Sequence, residues 1–146
     1  MKEIIKILLL IIILVVSIFI LQFFIQPRDS LKINDMVFNV EIFDTNEEIK
    51  NGLSNRNEIK KNQGALFVFN EPGFYSFWMK NMLFPVDIIW INDKKEVVFI
   101  KKDFQPCRIE EDCQNIIPNK KAKYVLEIKA GIADKIDIKI GNKIVF

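Results

Sequence analysis

Histidine is absent from the 146 residues of the chain. A nucleophile activated by a neighbouring histidine, as in a Ser-His-Asp triad or a Cys-His pair, is therefore excluded within this chain. The same absence excludes zinc sites that use histidine ligands. Any acid–base chemistry would have to come from Asp, Glu, Lys, Tyr or Cys side chains.

The chain also lacks a strong excess of charge of either sign. Lys and Arg total 21 and Asp and Glu total 19, so the formal net charge is +2. The most basic cluster consists of Lys94, Lys95, Lys101 and Lys102, which we interpret as solvated strand ends. This balance does not predict a nucleic-acid-binding protein.

Cysteine is scarce, since only Cys107 and Cys113 are present. Three interpretations are open for this pair. A disulfide is favoured if the domain is exported, because oxidising compartments stabilise disulfides. Free thiols come second. Metal ligation comes last, because two thiolates without histidine or a second cysteine pair make an incomplete zinc set. We predict no metal site and no cofactor.

One long uncharged run is present, from Ile7 to Ile25, with Ser17 and Gln22 as its polar residues. A helix of this length, at about 1.5 Å per residue, would span roughly 28 Å, which is close to the hydrocarbon thickness of a bilayer. Lys2 and Lys6 precede the run. The positive-inside rule therefore predicts a cytoplasmic amino terminus and a carboxyl-terminal domain outside the cytoplasm.

A cleavable signal peptide is the alternative for this segment. Signal peptides have a shorter apolar region and a cleavage site of small residues, whereas this run ends in the sequence QFFIQP at residues 22–27. We therefore predict a signal-anchor transmembrane helix and flank over residues 1–26, a linker over 27–35 and a domain over 36–146. The chain would be a single-pass membrane protein held in the membrane by residues 7–25.

The remainder of the chain reads as short strands with few helices. Met36 to Phe43 alternates apolar and polar residues, which is typical of a half-buried strand. Thr45 and Glu48 form a capping box that predicts a short helix over 45–51. Further strands are predicted at 66–69, 74–79, 84–91, 96–100, 123–128, 138–140 and 144–146, with a helical turn at 130–135. This pattern predicts a β-rich α+β domain, a small and mostly antiparallel barrel or sandwich with one or two short helices.

The most aromatic stretch runs from Gly64 to Ile91 and holds both tryptophans of the chain. Lys80, Asn81 and Asp87 lie among large apolar residues in this stretch. We expect the stretch to form the core of the domain. Its polar groups must then be either paired or used in function.

Five motifs, in this order, resemble one protein family. They are Gly52-Leu53 followed by Arg56, Gly64-x-Leu66-Phe67-x-Phe69, Phe77-Trp78-Met79-Lys80-Asn81, Pro85-x-Asp87, and Tyr124-Val125-Leu126-Glu127-x-x-Ala130-Gly131. The family is the uncharacterised domain of unknown function 192, and the likeness extends from about Met36 to the carboxyl end. The resemblance implies a compact β-rich α+β domain that is often exported or membrane-attached. It implies no particular activity.

Three positions depart from the family pattern. Ser54 and Ala65 stand where the family often has methionine, and Met82 stands where it often has threonine. A hydroxyl group at position 82 is therefore not available to this chain for catalysis.

The candidate site is predicted around Asp87, which follows Pro85 at a bend or strand edge. In one interpretation Asp87 caps the turn or pairs with Arg56 and so fixes the loop. In the other, the site is a ligand pocket in which burial or charge pairing shifts the pKa of a carboxyl group. The predicted ligand-binding residues are Arg56, Tyr75, Trp78, Asn81, Asp87 and Glu127.

The predicted function is a membrane-tethered, extracytoplasmic binding or accessory domain for a small ligand or an envelope component. Arginine suits carboxylate or phosphate groups, and aromatic faces suit sugars. One alternative is an envelope carbohydrate-active hydrolase or lyase in which Asp87 and Glu127 form an acid–base pair across a cleft. Another is a structural or assembly protein without a ligand. The lack of a recognisable catalytic set favours a non-enzymatic role.

Overall fold

The computed structural model describes residues 4, 6, 11–17, 29–107 and 113–146. Residues 11–17 are helical. Most of the signal-anchor predicted over residues 1–26, and the start of the predicted linker, lie outside the described residues. Within the described ranges, no helix has both the length and the apolar character needed to cross a membrane.

Seven strands and two short helices follow in the described part of the chain. They are β1 (Ser30–Ile33), β2 (Met36–Phe43), α1 (Asn46–Asn51), β3 (Gln63–Gly73), β4 (Val86–Ile91), β5 (Val97–Phe104), β6 (Ala122–Lys129), α2 (Ile132–Lys135) and β7 (Ile144–Val145). The strands form one sheet in the order β5-β4-β6-β3-β2-β1-β7. The predicted β-rich α+β class is confirmed.

Only one pair of neighbouring strands is parallel in the described sheet, namely β2 and β3. A parallel pair needs a crossover connection, and the segment that contains α1 provides it. Thr45 caps this helix, and the predicted capping box with Glu48 is confirmed. The crossover brings α1 onto the outer side of the sheet, where its residue Ile49 packs against the core.

The two edges of the sheet meet at one end. Glu96, just before β5, forms an antiparallel bridge with Lys143, just before β7. Backbone hydrogen bonds support the bridge, because Val97 N–H donates to Asn142 O at 2.9 Å and Ile144 N–H donates to Lys95 O at 2.9 Å. The sheet therefore curls into a partly closed barrel.

Apolar side chains fill both sides of the sheet. The inner cluster receives residues from all seven strands, and Ile132 and Ala133 of α2 pack into it. The outer cluster covers β3, β4 and β6 and includes Leu53, Phe77 and Met82 from the loops. Because both sides are covered, every residue of β4 is buried. The core therefore forms around the aromatic stretch, as the sequence indicates.

Three predicted elements differ from the observed ones. Ser30–Ile33, placed in the linker by the sequence analysis, forms β1, because Leu31 and Ile33 are fully buried. The strand predicted at 74–79 is irregular apart from an isolated bridge between Phe77 and Ile116. The strand predicted at 138–140 is not formed either. Both unformed segments serve as covers over the sheet rather than as members of it.

Asp87 lies inside the barrel and is fully buried. Its Oδ1 accepts a hydrogen bond from the N–H of Asp103 at 2.8 Å, and its Oδ2 accepts one from the N–H of Ala133 at 2.8 Å. Asp103 has a φ of 46° and lies where the β4–β5 register shifts. Gly131, the N-cap of α2, has no side chain to cap the helix. Asp87 therefore holds a strand irregularity and a helix start together, and it does not pair with Arg56.

We expect Asp87→Ala to lower the free energy of unfolding by about 3–5 kcal/mol, because two backbone N–H groups would lose a charged acceptor. Asp87→Asn keeps one acceptor oxygen and should cost about half as much. Urea unfolding of the full chain in a non-ionic polyoxyethylene detergent measures both. The control is Asp93→Ala at an exposed turn, which should change stability by at most about 0.5 kcal/mol. Equal losses for Asp87→Ala and Asp93→Ala would contradict this role.

Candidate functional site

Three concavities meet beside Trp78 on the outer side of the sheet, and we call them together the Trp78 cleft. One has a volume of about 500 Å³ and a second of about 520 Å³. Between them a narrow crevice of about 30 Å³ leads down to Glu127. One side of the cleft is formed by residues 49–55, at the end of α1, and the other by residues 74–82.

Short contacts between loops hold the two sides of the cleft. The Ser54 hydroxyl donates to the carbonyl of Lys80 at 3.2 Å, and the N–H of Asn55 donates to the carbonyl of Asn81 at 2.8 Å. Asn55 and Asn81 have φ values of 61° and 58°. Asparagine tolerates this left-handed region better than most residues. The loops therefore meet through residue types that suit their backbone geometry.

Aromatic side chains form the wall of the cleft. The rings of Phe69 and Tyr75 are stacked, with centroids 3.5 Å apart and planes at 9°. Trp78 is 43% exposed, which is high for so large an apolar side chain, and Phe74 is also exposed. The wall therefore presents flat apolar faces to solvent.

Glu127 forms the floor of the crevice. It lies on β6 between Ala65 of β3 and Ile88 of β4 in the ladder register, on the outer side of the sheet. Its side chain is only 4% exposed, and its Oε2 atom has no hydrogen-bond partner among the described residues. Burial raises the pKa of the Glu127 carboxyl to about 8. The group is therefore mostly a neutral carboxylic acid at pH 7.

The structure brings four of the six predicted site residues to the Trp78 cleft, namely Tyr75, Trp78, Asn81 and Glu127. It does not bring Arg56 or Asp87 there. Arg56 lines a separate surface concavity, where its two terminal nitrogens bind Glu41 at 2.6 and 2.8 Å. This pairing lowers the pKa of Glu41 and raises that of Arg56. The proposed Arg56–Asp87 pair is not formed, because each residue has other partners.

The predicted acid–base pair of Asp87 and Glu127 is also not formed. In the ladder of β4 and β6, Asp87 lies opposite Ile128 while Glu127 lies opposite Ile88. Paired residues share a face and successive residues alternate, so the two carboxyl groups point to opposite sides of the sheet. No cleft can hold both of them.

Several cleft residues carried no signal in the sequence analysis. Lys50 borders all three concavities, and Asn55 lines one of them. Lys50 lies on α1, and its place depends on the packing of that helix over the sheet. A residue pattern within α1 could show that the helix is amphipathic, but not which strand lies beneath it.

Cys107 and Cys113 are joined by a disulfide, with their Cα atoms 5.1 Å apart. The N–H of Cys107 donates to the carbonyl of Met79 at 3.5 Å, so the disulfide loop contacts the segment that carries Trp78. Residues 108–112 of the loop lie outside the described residues. Across the described ranges, no three His, Cys, Asp or Glu side chains are grouped as metal ligands.

Replacing Glu127 by Gln removes the ionisable group and keeps its size. The unfolded carboxyl has an ordinary pKa of 4.5, whereas the folded one has a pKa of about 8. Between these values the folded domain holds a proton that the unfolded chain releases, so wild-type stability falls as the pH rises. We expect the wild type to lose about 3 kcal/mol relative to Glu127→Gln between pH 5 and pH 8.

Urea unfolding of both chains across this pH range checks the prediction. The control is Glu58→Gln at an exposed position, which should follow the wild-type curve. Parallel curves for the wild type and Glu127→Gln would show instead that Glu127 ionises in the folded domain as it does in the unfolded chain.

Solved structures with the same fold were found for two other proteins. A protein of unknown function from Novosphingobium aromaticivorans DSM 12444 is 29% identical, with a TM-score of 0.74 over 80% of this chain and 84% of that chain. A candidate transcription regulator from Sinorhizobium meliloti 1021 is 23% identical, with a TM-score of 0.73 over 80% of this chain and 91% of that chain. The second likeness shows the fold alone. No curated protein matches the chain.

The family DUF192, described as uncharacterized ACR, matches residues 30–146. The match begins at Ser30, where β1 begins, and it includes all elements from β1 to β7 as well as the Trp78 cleft. The resemblance drawn from the sequence motifs is confirmed. The chain belongs to the family of domain of unknown function 192.

Proposed function

We propose that this protein is a membrane-tethered, extracytoplasmic binding domain whose ligand lies in the Trp78 cleft. One observation carries the proposal. A carboxyl group that is almost fully buried lies at the floor of a cleft with an exposed tryptophan at its rim, and one of its oxygens has no hydrogen-bond partner in the described part of the chain. The tether is supported by the apolar run at residues 7–25 and by the disulfide, which suits an oxidising compartment.

The buried Glu127 carboxyl lowers the stability of the folded domain. Burying a polar group without a partner disfavours folding by roughly 1–3 kcal/mol. Such groups are uncommon in folded proteins, and they concentrate at functional sites. Asp87 shows the contrast within the same sheet, because both of its oxygens have backbone partners. A ligand that reaches Glu127 would supply the partner that its Oε2 lacks within the described ranges.

The size and the walls of the cleft suit a small ligand with a flat face. The two larger concavities, at about 500 and 520 Å³, lie within the usual range for ligand sites. Trp78 offers an exposed indole, which gains both area burial and stacking when a ring covers it. Serine and asparagine side chains around it can hydrogen-bond to hydroxyl or amide groups of a ligand.

The enzymatic alternative has less support. A carbohydrate hydrolase of the common kind needs two carboxyl groups on either side of the bond that breaks. Glu127 is the one acidic residue that lines the Trp78 cleft within the described ranges. A binding role needs no second carboxyl group. A structural or assembly role without a ligand would give no function to the Glu127 oxygen that lacks a partner among the described residues.

Tryptophan fluorescence tests the proposal, because the two tryptophans differ. Trp90 is fully buried and donates its Nε1–H to the carbonyl of Tyr75, whereas Trp78 is exposed. A panel of envelope sugars and small anions is titrated into the full chain in a non-ionic polyoxyethylene detergent, which carries no sugar group. We expect at least one compound to change the emission, and calorimetry with that compound to show an affinity about tenfold or more lower for Trp78→Ala.

The matched control is Arg56→Ala, which removes a charged side chain from a separate concavity. Its affinity should equal that of the wild type. If no compound changes the emission, or if Trp78→Ala binds as well as the wild type, the proposed site is wrong.

A further inference from the structure

The ligand class of the Trp78 cleft can be narrowed from the chemistry of its floor, and this step rests on the proposed function. We infer that the ligand is a sugar with an acetamido group, and that Glu127 meets this group as a carboxylic acid. The carboxylic acid would donate its O–H to the acetamido carbonyl and accept a hydrogen bond from the acetamido N–H. The two bonds together close a ring between two planar groups.

The crevice above Glu127 sets the size of what can enter. Its volume of about 30 Å³ suits one small polar group and is too small for a ring. Its lining combines apolar side chains, namely those of Leu53, Phe67, Phe77 and Met82, with the polar residues Lys50, Asn51 and Ser54. Glu127 is the one acidic residue of this lining, and its Oε2 has no hydrogen-bond partner among the described residues, so a ligand group that reaches the floor would meet this carboxyl. The sugar ring itself would stay above, in the wider part of the cleft.

The charges around Glu127 favour a neutral ligand group in the crevice. Ala65 and Ile88 are the ladder neighbours of Glu127 and bring no charge. The charged residues that border the cleft are Lys50 and Lys80, both cationic. A ligand ammonium would be repelled by these lysines on its way in, and a ligand carboxylate would have to lose its water beside a buried carboxyl. A neutral amide meets neither penalty.

The rim of the cleft suits the remaining hydroxyl groups of a sugar. Its polar side chains are mostly neutral amides and hydroxyls, namely Asn51, Ser54, Asn55, Ser76, Asn81 and Asn115. These groups can both donate and accept hydrogen bonds, as hydroxyl groups require. The exposed indole of Trp78 offers a flat face for the apolar side of a sugar ring.

The protonation of Glu127 is consistent with this geometry and adds a pH dependence. With a pKa of about 8 the carboxyl holds its proton at pH 7. Above that value it becomes a carboxylate, which cannot donate and which repels a carbonyl oxygen. Affinity for an acetamido group should therefore fall about tenfold between pH 7 and pH 9.

Two oligosaccharides with one backbone test the inference: the β-1,4-linked trimer of N-acetylglucosamine and its fully deacetylated counterpart, which carries ammonium groups. Both are titrated into the full chain in the same detergent, with Trp78 emission and calorimetry as readouts. We expect the acetylated trimer to bind at least tenfold more tightly at pH 7. We also expect its affinity to fall with rising pH as described.

Two variants at position 127 isolate the carboxylic acid. Glu127→Gln keeps a neutral donor and acceptor of the same size, so it should bind the acetylated trimer at both pH values with little change. Glu127→Leu keeps the bulk without the polar atoms and should lose at least tenfold in affinity. Circular dichroism confirms that both variants are folded. Infrared difference spectra of wild type against Glu127→Gln show directly whether the carboxyl is protonated at pH 7.

Several outcomes would overturn the inference. Tighter binding of the deacetylated trimer at pH 7 would mean that Glu127 acts as a carboxylate toward a cation. Affinity for the acetylated trimer that rises with pH would mean that Glu127 does not act as a carboxylic acid donor. Failure of the acetylated trimer, when another panel compound binds in a Trp78-dependent manner, would overturn the ligand class and leave the binding function in place. If neither trimer nor any panel compound binds, both the ligand class and the binding function fail.

Discussion

The alternation of side-chain direction along the central strands decides on which side of the sheet each buried acidic residue lies. Strand β6 pairs with β3 on one side and β4 on the other, so its register fixes the face of each neighbouring side chain. Asp87 and Glu127 lie on adjacent strands only one register position apart, and yet one faces the barrel interior and the other the outer cover. A shift of β6 by one residue would turn Glu127 to the inner side, where Asp87 lies.

The two buried acidic residues differ in their hydrogen-bond partners, and this difference gives one a structural role and the other its proposed functional role. Asp87 is fully buried, but it receives one hydrogen bond at each oxygen and connects β5 to α2. Glu127 is nearly as buried, and its Oε2 receives none from the residues that the structure describes. Backbone donors replace water around the first, whereas burial raises the pKa of the second to about 8, so that it keeps its proton at pH 7. Burial alone would rank these two residues as equivalent, and only their partners distinguish them.

Patterns in the sequence correctly predicted the features of the fold that depend on residues close together in the chain. The capping box at Thr45 and Glu48, the alternation of β2 and the strands predicted at 84–91 and 96–100 are all present in the fold, the last two as β4 and β5. The grouping of Arg56 with Asp87 was wrong, because it assumed that polar residues in one aromatic stretch meet each other. Glu41 competes for Arg56 from a different strand, and the backbone of α2 competes for Asp87. Such partners depend on tertiary contacts that no spacing in the sequence reveals.

The outer edge of β5 has a consequence for how copies of this domain behave beside each other. An unpaired strand edge can recruit the same edge of another molecule. Here Lys101 and Lys102 lie on that edge strand, the register irregularity at Asp103 bends it, and the bridge of Glu96 to Lys143 occupies its beginning. Copies of this domain could therefore be crowded together without joining their sheets.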